Sequence, residues 1–483
     1  RRVEDADLRR SSAFFGDISI KYDHLIDEKN LLSASGYISQ DHFTLSDQAE
    51  YDYGNRIATI KWINNASSLI NSEHLFNYSA YEYAVSDNSE ISRGYQMKAG
   101  IKDYKWHSDF ELSYISQHQI KLGLSAIHHS LQPGIYTPED STYTDEIILD
   151  KENGTELGLF LSDKYQLANN LSIYGGIRYS LFRGGTSKYE SMYHGIEPRV
   201  SINYQLNINS SLKLGYNRMR QYMHLISNTT AVTPIDSWKL SNTEVLPSIG
   251  DQISLGYFRN IDSKNYELVV EGYFKVVQNL IEYKNGANLF RNENIEEELV
   301  QGLGNSYGLE LSLKKNTGKL NGWVNYTYSR SLIKVQSNQA ENQINQGNWF
   351  PTNFDQPHNL NIFTNITLSR RFSLSTNYQY NTGRPFTKPV TSYFVFDAPV
   401  AHFDSRNNSR IPDYHRLDLT IFMGTSLKKS KKVEANWALS IYNVYARKNV
   451  YSVFFRKSSS TTEAFKFIVI GRPLVSLAYN FKF

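Results

Sequence analysis

The chain has 483 residues, no cysteine, a formal net charge of +3 and 14% aromatic residues, led by 35 tyrosines and 25 phenylalanines. That length exceeds a single compact core of roughly 100–200 residues, so the chain holds several domains or one very large closed sheet. The absent cysteines exclude disulfides, thiolate metal sites and thiol nucleophiles and suit an oxidising compartment, and the near-neutral charge carries no nucleic-acid footprint.

Hydropathy alone does not place the chain. Its mean of −0.48 is that of a soluble protein, and no run approaches the roughly 18 apolar residues of a spanning helix. A membrane β-barrel, whose segments alternate, shows no hydropathy peak either.

Periodicity separates the two. Strands are expected over 13–24, 29–40, 54–65, 71–85 and 97–115. Within 118–130, Ile120, Leu122, Leu124 and Ala126 oppose Lys121, Gly123 and Ser125. After a strand at 154–167, the segment 170–182 sets Leu171, Ile173, Ile177 and Leu181 against Ser172, Tyr174, Arg178 and Ser180. Strands follow at 194–206, 210–218, 250–260 and 264–277. In 305–316, Tyr307, Leu309, Leu311 and Leu313 share one face, and Gly308, Glu310, Ser312 and Lys314 the other. Beyond 320–332, 357–368 and 371–381, the 411–424 segment opposes Leu417, Leu419, Ile421 and Met423 to Arg416, Asp418 and Thr420. The strands 432–444 and 472–483 complete the set, the last with Val475, Leu477, Tyr479, Phe481 and Phe483 in one row. A period of two means strands with one apolar and one polar face. The reading is all-β, with about nineteen strands.

The connections alternate as strictly as the strands. Short turns such as "QLANN", "LNINS", "NTGK" and "SRR" take turns with long loops near 131–153, 219–249, 278–304, 333–356, 382–410 and 445–471. This describes a transmembrane antiparallel up-and-down β-barrel, with turns toward the periplasm and loops outside. A strand of about twelve residues rises roughly 40 Å, enough at a barrel's tilt for a hydrocarbon core of about 30 Å. A soluble sandwich or propeller is the alternative; neither accounts for two unlike rims, and no blade repeat occurs. The first and last strands both run inward, so closure of an even, antiparallel barrel requires an odd number of strands before residue 13.

Ordered stretches then carry a resemblance: "EPRVSINYQL" (197–206), "RMRQYMHLISN" (218–228), "DQISLGY" (251–257), "YELVVEGYFKVVQNLIEYKNG" (266–286), "NSYGLELSLKKNTGKLNGWVNYTYSRS" (305–331), "FDQPHNLNI" (354–362), "NTGRPFTKP" (381–389) and "YNVYARKNVYSVFF" (442–455). Over essentially all 483 residues the chain resembles the C-terminal barrel of a TonB-dependent outer-membrane receptor. The resemblance implies a barrel of about 22 strands with a plugged lumen, hence three strands and an N-terminal plug beyond this sequence. It also implies a TonB complex as partner through that N-terminal region, a nutrient ligand, outer-membrane lipid around the wall and, in some members, a surface lipoprotein lid. Tyr479, Phe481 and Phe483 are expected in an aromatic girdle.

No G-x-S-x-G, H-E-x-x-H or Walker-type glycine loop is present, so the chain is not expected to be an enzyme, and no cofactor or metal is expected. His128 and His129 read as a rim pair rather than metal ligands. The run Glu296-Glu297-Glu298 reads as a solvated acidic loop or, alternatively, a calcium site. Lys428, Lys429, Lys431 and Lys432 read as solubilising charge on a short turn. Arg178, Glu267, Glu271, Glu310, Lys314, Arg416 and Asp418 should line the lumen and pair with one another or with a plug.

Ligand contacts are expected on the long loops, where binding residues concentrate above a rigid scaffold. The candidates are Arg220, Tyr222, His224 and Trp238 in the first of three loops, Trp349 and Phe350 in the second, and Arg384 and Phe386 in the third, joined by Asn348, Tyr393, Phe394 and Phe396. The alternative for each is loop-on-loop packing, and the first four, which belong to the motif-like stretches, read alternatively as architectural. Aromatic rings beside hydrogen-bonding groups suit siderophores, cobalamin-like ligands, glycans or peptides. The function expected is TonB-coupled import of a scarce nutrient. The alternatives are a docking subunit built on a receptor-like barrel and a passive porin.

Overall fold

The computed structural model describes residues 11–45, 49–67, 69–87, 94–113, 116–140, 142, 145–186, 188–226, 237–262, 265–287, 292–395, 398–424, 434–457, 462–468 and 470–482. The lysine-rich turn at 428–432, the Asn228–Thr230 triplet, Phe396 and Phe483 lie outside them.

One antiparallel sheet of 21 strands dominates, two of which are the two-residue pieces Ile147–Ile148 and Phe350–Pro351. The other nineteen follow one another in chain order. They are Ser12–Asp27, Asn30–Leu45, Ala49–Ser67, Ile70–Asp87, Tyr95–Leu112, His118–Pro138, Glu152–Ala168, Leu171–Gly185, Ser191–Asn207, Ser210–Gln221, Ser248–Ile261, Tyr266–Tyr283, Leu299–Lys315, Leu320–Lys334, His358–Thr367, Phe372–Asn381, Tyr414–Gly424, Glu434–Tyr442 and Leu474–Lys482. Each corresponds to one expected segment. Several run further toward the long loops than alternation indicates; His118–Pro138, Tyr266–Tyr283 and Leu299–Lys315 extend most. The ladder's hydrogen bonds continue there although no solvent contrast marks the two faces.

Alternation is realised as two chemically distinct walls. Leu309, Leu311 and Leu313 stand exposed on the outside, where the Trp437 and Tyr479 rings lie beside one another with centroids 4.6 Å apart. Among the described residues no second layer covers this apolar face, and an uncovered apolar surface of that extent is stable only against hydrocarbon. On the inside, Ser312 donates to Asn325 at 2.6 Å, and Lys61–Glu73 (3.0 Å), Arg178–Glu156 (3.1 Å) and Arg416–Asp418 (2.9 Å) pair across or along strands. Of the expected lumen charges, Arg178, Arg416 and Asp418 are thus paired, as are Glu267 and Lys314 at 3.5 Å, whereas Glu271 and Glu310 stand opposite each other in the ladder.

Turns such as 208–209 and 316–319 close one rim, the latter using Gly318 at φ 96°, a conformation that suits glycine. The long loops occupy the opposite rim. Among the described residues, Ser12–Asp27 pairs in the sheet only with Asn30–Leu45, and Leu474–Lys482 only with Glu434–Tyr442.

Candidate functional site

The loop after Ser210–Gln221 turns into the lumen. Its hairpin, Met223–Ile226 paired with Ser237–Leu240, lies on the inner wall. Tyr222 and Leu240 join Ile101, Leu131 and Phe182 in one apolar cluster, with Trp238, Met223 and Tyr193 packed against it. Phe182 shares the inward face with Arg178 and Ser180 because side chains alternate along the strand. The Ser180 hydroxyl meets the Tyr222 hydroxyl at 2.8 Å.

Under the hairpin sits a buried ionic group. Lys239 pairs with Glu152 at 2.6 Å and with Glu296. Glu152 also accepts the Leu240 amide at 2.8 Å, and Asn242 donates to Glu296 at 3.1 Å. Burial pushes the Glu152 carboxyl up, opposed by the Lys239 ammonium. The hairpin is thereby clamped between the start of Glu152–Ala168 and the loop before Leu299–Lys315. The acidic run is therefore not simply solvated: Glu296 is buried because Lys239 reaches it. Nearby, His224 is buried with one ring nitrogen 3.0 Å from Ser241 Oγ, and burial pushes its imidazole down to about 4.

A second set of contacts ties three further loops together. Arg406 pairs with Glu282 at 2.8 Å, donates to the Tyr283 and Lys284 carbonyls, and lies 4.0 Å over the Tyr283 ring. Its own amide donates to Asn345 at 2.7 Å. Asp355, with a fully buried side chain, takes Arg330 at 3.2 Å, the Ser331 amide at 2.7 Å, and Arg410.

Beside this knot an inward cavity of about 310 Å³ is lined by Gln356, Asn381, Arg384, Tyr414, Arg416, Tyr442 and Tyr451, among others. Arg416 lies 3.9 Å over the Tyr442 ring and donates to Tyr414 at 2.7 Å. Arg384 donates to the Tyr451 carbonyl at 2.9 Å and sits 5.6 Å over that ring. The lining offers guanidinium groups, amides and aromatic faces, a combination that binds oxygen-rich chelates and aromatic groups by hydrogen bonding and stacking. Among the described residues, no group of three or more His, Cys, Asp or Glu side chains could hold a metal ion.

A family described as "TonB dependent receptor-like, beta-barrel" matches residues 5–445. The chain belongs to that family. It is therefore an outer-membrane receptor barrel of a Gram-negative bacterium and not an enzyme. Comparison with curated protein sequences finds no match. Among solved structures, the chain is similar to the siderophore receptor PiuA from Acinetobacter baumannii (TM-score 0.71, 12% identity, 98% of this chain and 75% of that one). It is also similar to BauA, the ferric preacinetobactin receptor of the same organism (0.70, 12%, 99% and 74%). A third is the ferric-catecholate import receptor Fiu from K12 E. coli (0.68, 12%, 99% and 76%). At these identities the likeness is one of fold.

Within this TonB-dependent receptor barrel the candidate residues separate. Tyr222 and His224 are buried in the hairpin, and Trp238 packs beside them. Arg220 fills the gap where the ladder between Ser191–Asn207 and Ser210–Gln221 ends, lying over Gly195, where any side chain would collide with it. Phe350 is buried with Ile333, Val335 and Ile344, while its neighbour Trp349 is 40% exposed. Arg384 alone of the eight lines the cavity; Phe386 stacks on Phe455 at 6.2 Å. His128 and His129 point to opposite faces, toward Thr155 and Asp103. Sequence reasoning missed Arg406, Asp355, Glu152 and Lys239, whose partners are remote in sequence and carry no local pattern.

Proposed function

We propose that this receptor imports a ferric siderophore, with energy delivered through TonB. The observation that carries the reading is the lumen cavity beneath the long loops, where Arg384 and Arg416 stand among the Tyr414, Tyr442 and Tyr451 rings. A siderophore complex presents catecholate, hydroxamate or carboxylate oxygens and often aromatic groups, which guanidinium and tyrosine side chains bind. The printed ligands of BauA and Fiu, a ferric preacinetobactin and a ferric catecholate, support the class. The hairpin folded onto the inner wall argues against an open diffusive pore. In this reading three further strands pair with the edges Ser12–Asp27 and Leu474–Lys482, and a plug fills the lumen and carries the TonB contact.

The test is uptake of ⁵⁵Fe by cells expressing the full-length protein as their sole receptor, offered ferric catecholates, ferric hydroxamates and ferric citrate in turn. Accumulation of one class that stops when the proton gradient is collapsed supports the proposal. Uptake that survives the collapse indicates a passive porin. No uptake of any class from a correctly assembled barrel favours a docking subunit.

A further inference from the structure

On the outward face of the strands from Asn30–Leu45 to His118–Pro138, cross-strand register builds successive rows. Ile60 pairs with Phe76, Phe76 with Trp106, and Trp106 with Ala126. One step nearer the long loops, Ala58, Tyr78, Tyr104 and His128 are partnered in the same way. The next row is Arg56, Ala80, Lys102 and Ser130. Apolar, then aromatic with a polar edge, then cationic is the order in which a barrel wall meets hydrocarbon, interface and headgroups. The long-loop membrane boundary therefore runs near Tyr78 and Tyr104.

Two depressions straddle that boundary. Below it, a groove of about 400 Å³ runs between Ile60, Phe76, Tyr104 and Trp106, opened by the small side chains of Ala58 and Ala126. Above it, a cavity of about 500 Å³ is walled by Arg56, Lys98, Lys102 and Lys151 with Asp52 and Glu82, and floored by Gly54, Ala80 and Gly100. Both acids are already engaged, Asp52 with His42 at 2.8 Å and Glu82 with Lys102 at 3.5 Å. Arg56, Lys98 and Lys151 are exposed, and among the described residues no carboxylate lies within ion-pair distance of them.

We infer that this face holds one molecule of a phosphorylated, acylated glycolipid from the outer leaflet. Its phosphate groups meet Arg56, Lys98 and Lys151, and an acyl chain lies along the groove over Ala58 and Ala126, against the Ile60, Phe76, Tyr104 and Trp106 side chains. The cations by themselves would attract any anion; the groove aligned beneath them selects an amphiphile. The side of the membrane selects the glycolipid, because the cavity lies toward the long, extracellular loops rather than the periplasmic turns. The site is independent of the lumen cavity and of whatever the receptor imports.

The experiment uses full-length, delipidated protein in detergent and measures binding of diphosphoryl lipid A, dephosphorylated lipid A and inorganic phosphate by native mass spectrometry. The triple variant Arg56→Gln, Lys98→Gln, Lys151→Gln should weaken diphosphoryl lipid A by about a hundredfold and the dephosphorylated form far less, since each basic residue near an anionic headgroup contributes about 1 kcal/mol. Ala126→Trp, which fills the groove, should weaken both lipids alike, and Arg183→Gln, outside the patch, should change neither. Heat-modifiable mobility on gels confirms that each variant is a folded barrel. Equal binding of diphosphoryl lipid A by wild type and triple variant overturns the proposal. So does displacement of the lipid by inorganic phosphate at matched concentration, which would mark a plain anion site.

Discussion

The ring of Tyr222 lies flat on that of Phe182, with centroids 4.7 Å apart and planes 5° from parallel. One ring belongs to a long loop and the other to the inward face of a wall strand, so this contact fixes the loop inside the lumen. Tyr222→Ala removes the stack and leaves a cavity, and should weaken the hairpin's attachment by about 3–5 kcal/mol. Tyr222→Phe keeps the stack and loses only the bond to Ser180, at about 1 kcal/mol. Hydrogen exchange of the 223–240 amides measures both. Unchanged exchange in Tyr222→Ala would show that the stack does not hold the loop.

Lys239 serves two buried carboxylates, so its removal should cost more than its own packing. Lys239→Met leaves Glu152 and Glu296 without a cation and should destabilise the hairpin by about 3–5 kcal/mol. Adding Glu152→Gln should recover part of that loss, because one of the stranded charges goes with it. Protease cleavage within the 223–240 loop, compared across the single and double variants, reads the difference.

His224 adds a dependence on pH. Its folded-state value of about 4 lies below the ordinary 6.5, so the unfolded loop binds the proton first as pH falls. Its stabilising contribution is complete above about pH 6.5, declines toward pH 4 and then levels, with a span of about 3 kcal/mol. Glu152, pushed up by burial, works in the opposite direction: its contribution falls as pH rises above the ordinary carboxyl value. Subtracting the profile of His224→Gln from that of wild type cancels the Glu152 effect. A flat difference between pH 7 and 4 would contradict the assignment.

The wall makes a simpler prediction. Leu311→Arg puts a charge against hydrocarbon and should cost about 2–4 kcal/mol, while Ser312→Arg, one residue along and facing the lumen, should cost much less. Urea unfolding in lipid vesicles distinguishes them, and equal costs would mean that the two faces are not lipid and water.

Among the described residues the Arg384 side chain bonds to the Tyr451 carbonyl and lies over its ring, so Arg384→Ala should leave the barrel's stability nearly unchanged. Under the proposed function it should weaken retention of the ferric complex by about 10- to 100-fold, the value of a charge-assisted hydrogen bond. Equilibrium binding of the complex found by the uptake assay tests this, and undiminished affinity removes Arg384 from the site.

All nineteen long strands and the unlike rims were legible in the sequence, because each strand residue answers to one of two solvents. Leu309 and Glu310 declare lipid and lumen by their chemistry alone, and a period of two survives any uncertainty at the ends. The inward face of Arg178 follows from the same alternation, whereas its partner Glu156 is chosen by the strand register. The loops obey no such rule. Arg220, Tyr222, His224 and Trp238 read locally as an aromatic, hydrogen-bonding loop, yet Tyr222 and His224 are buried and Arg220 closes over Gly195. Glu296 reads as a solvated acid until Lys239 is brought to it from another loop, and Arg406 becomes a junction only where three loops converge. Alternation is a local property that the residues carry themselves. Where a loop settles is set by contacts between distant segments, and those exist only once the wall has formed.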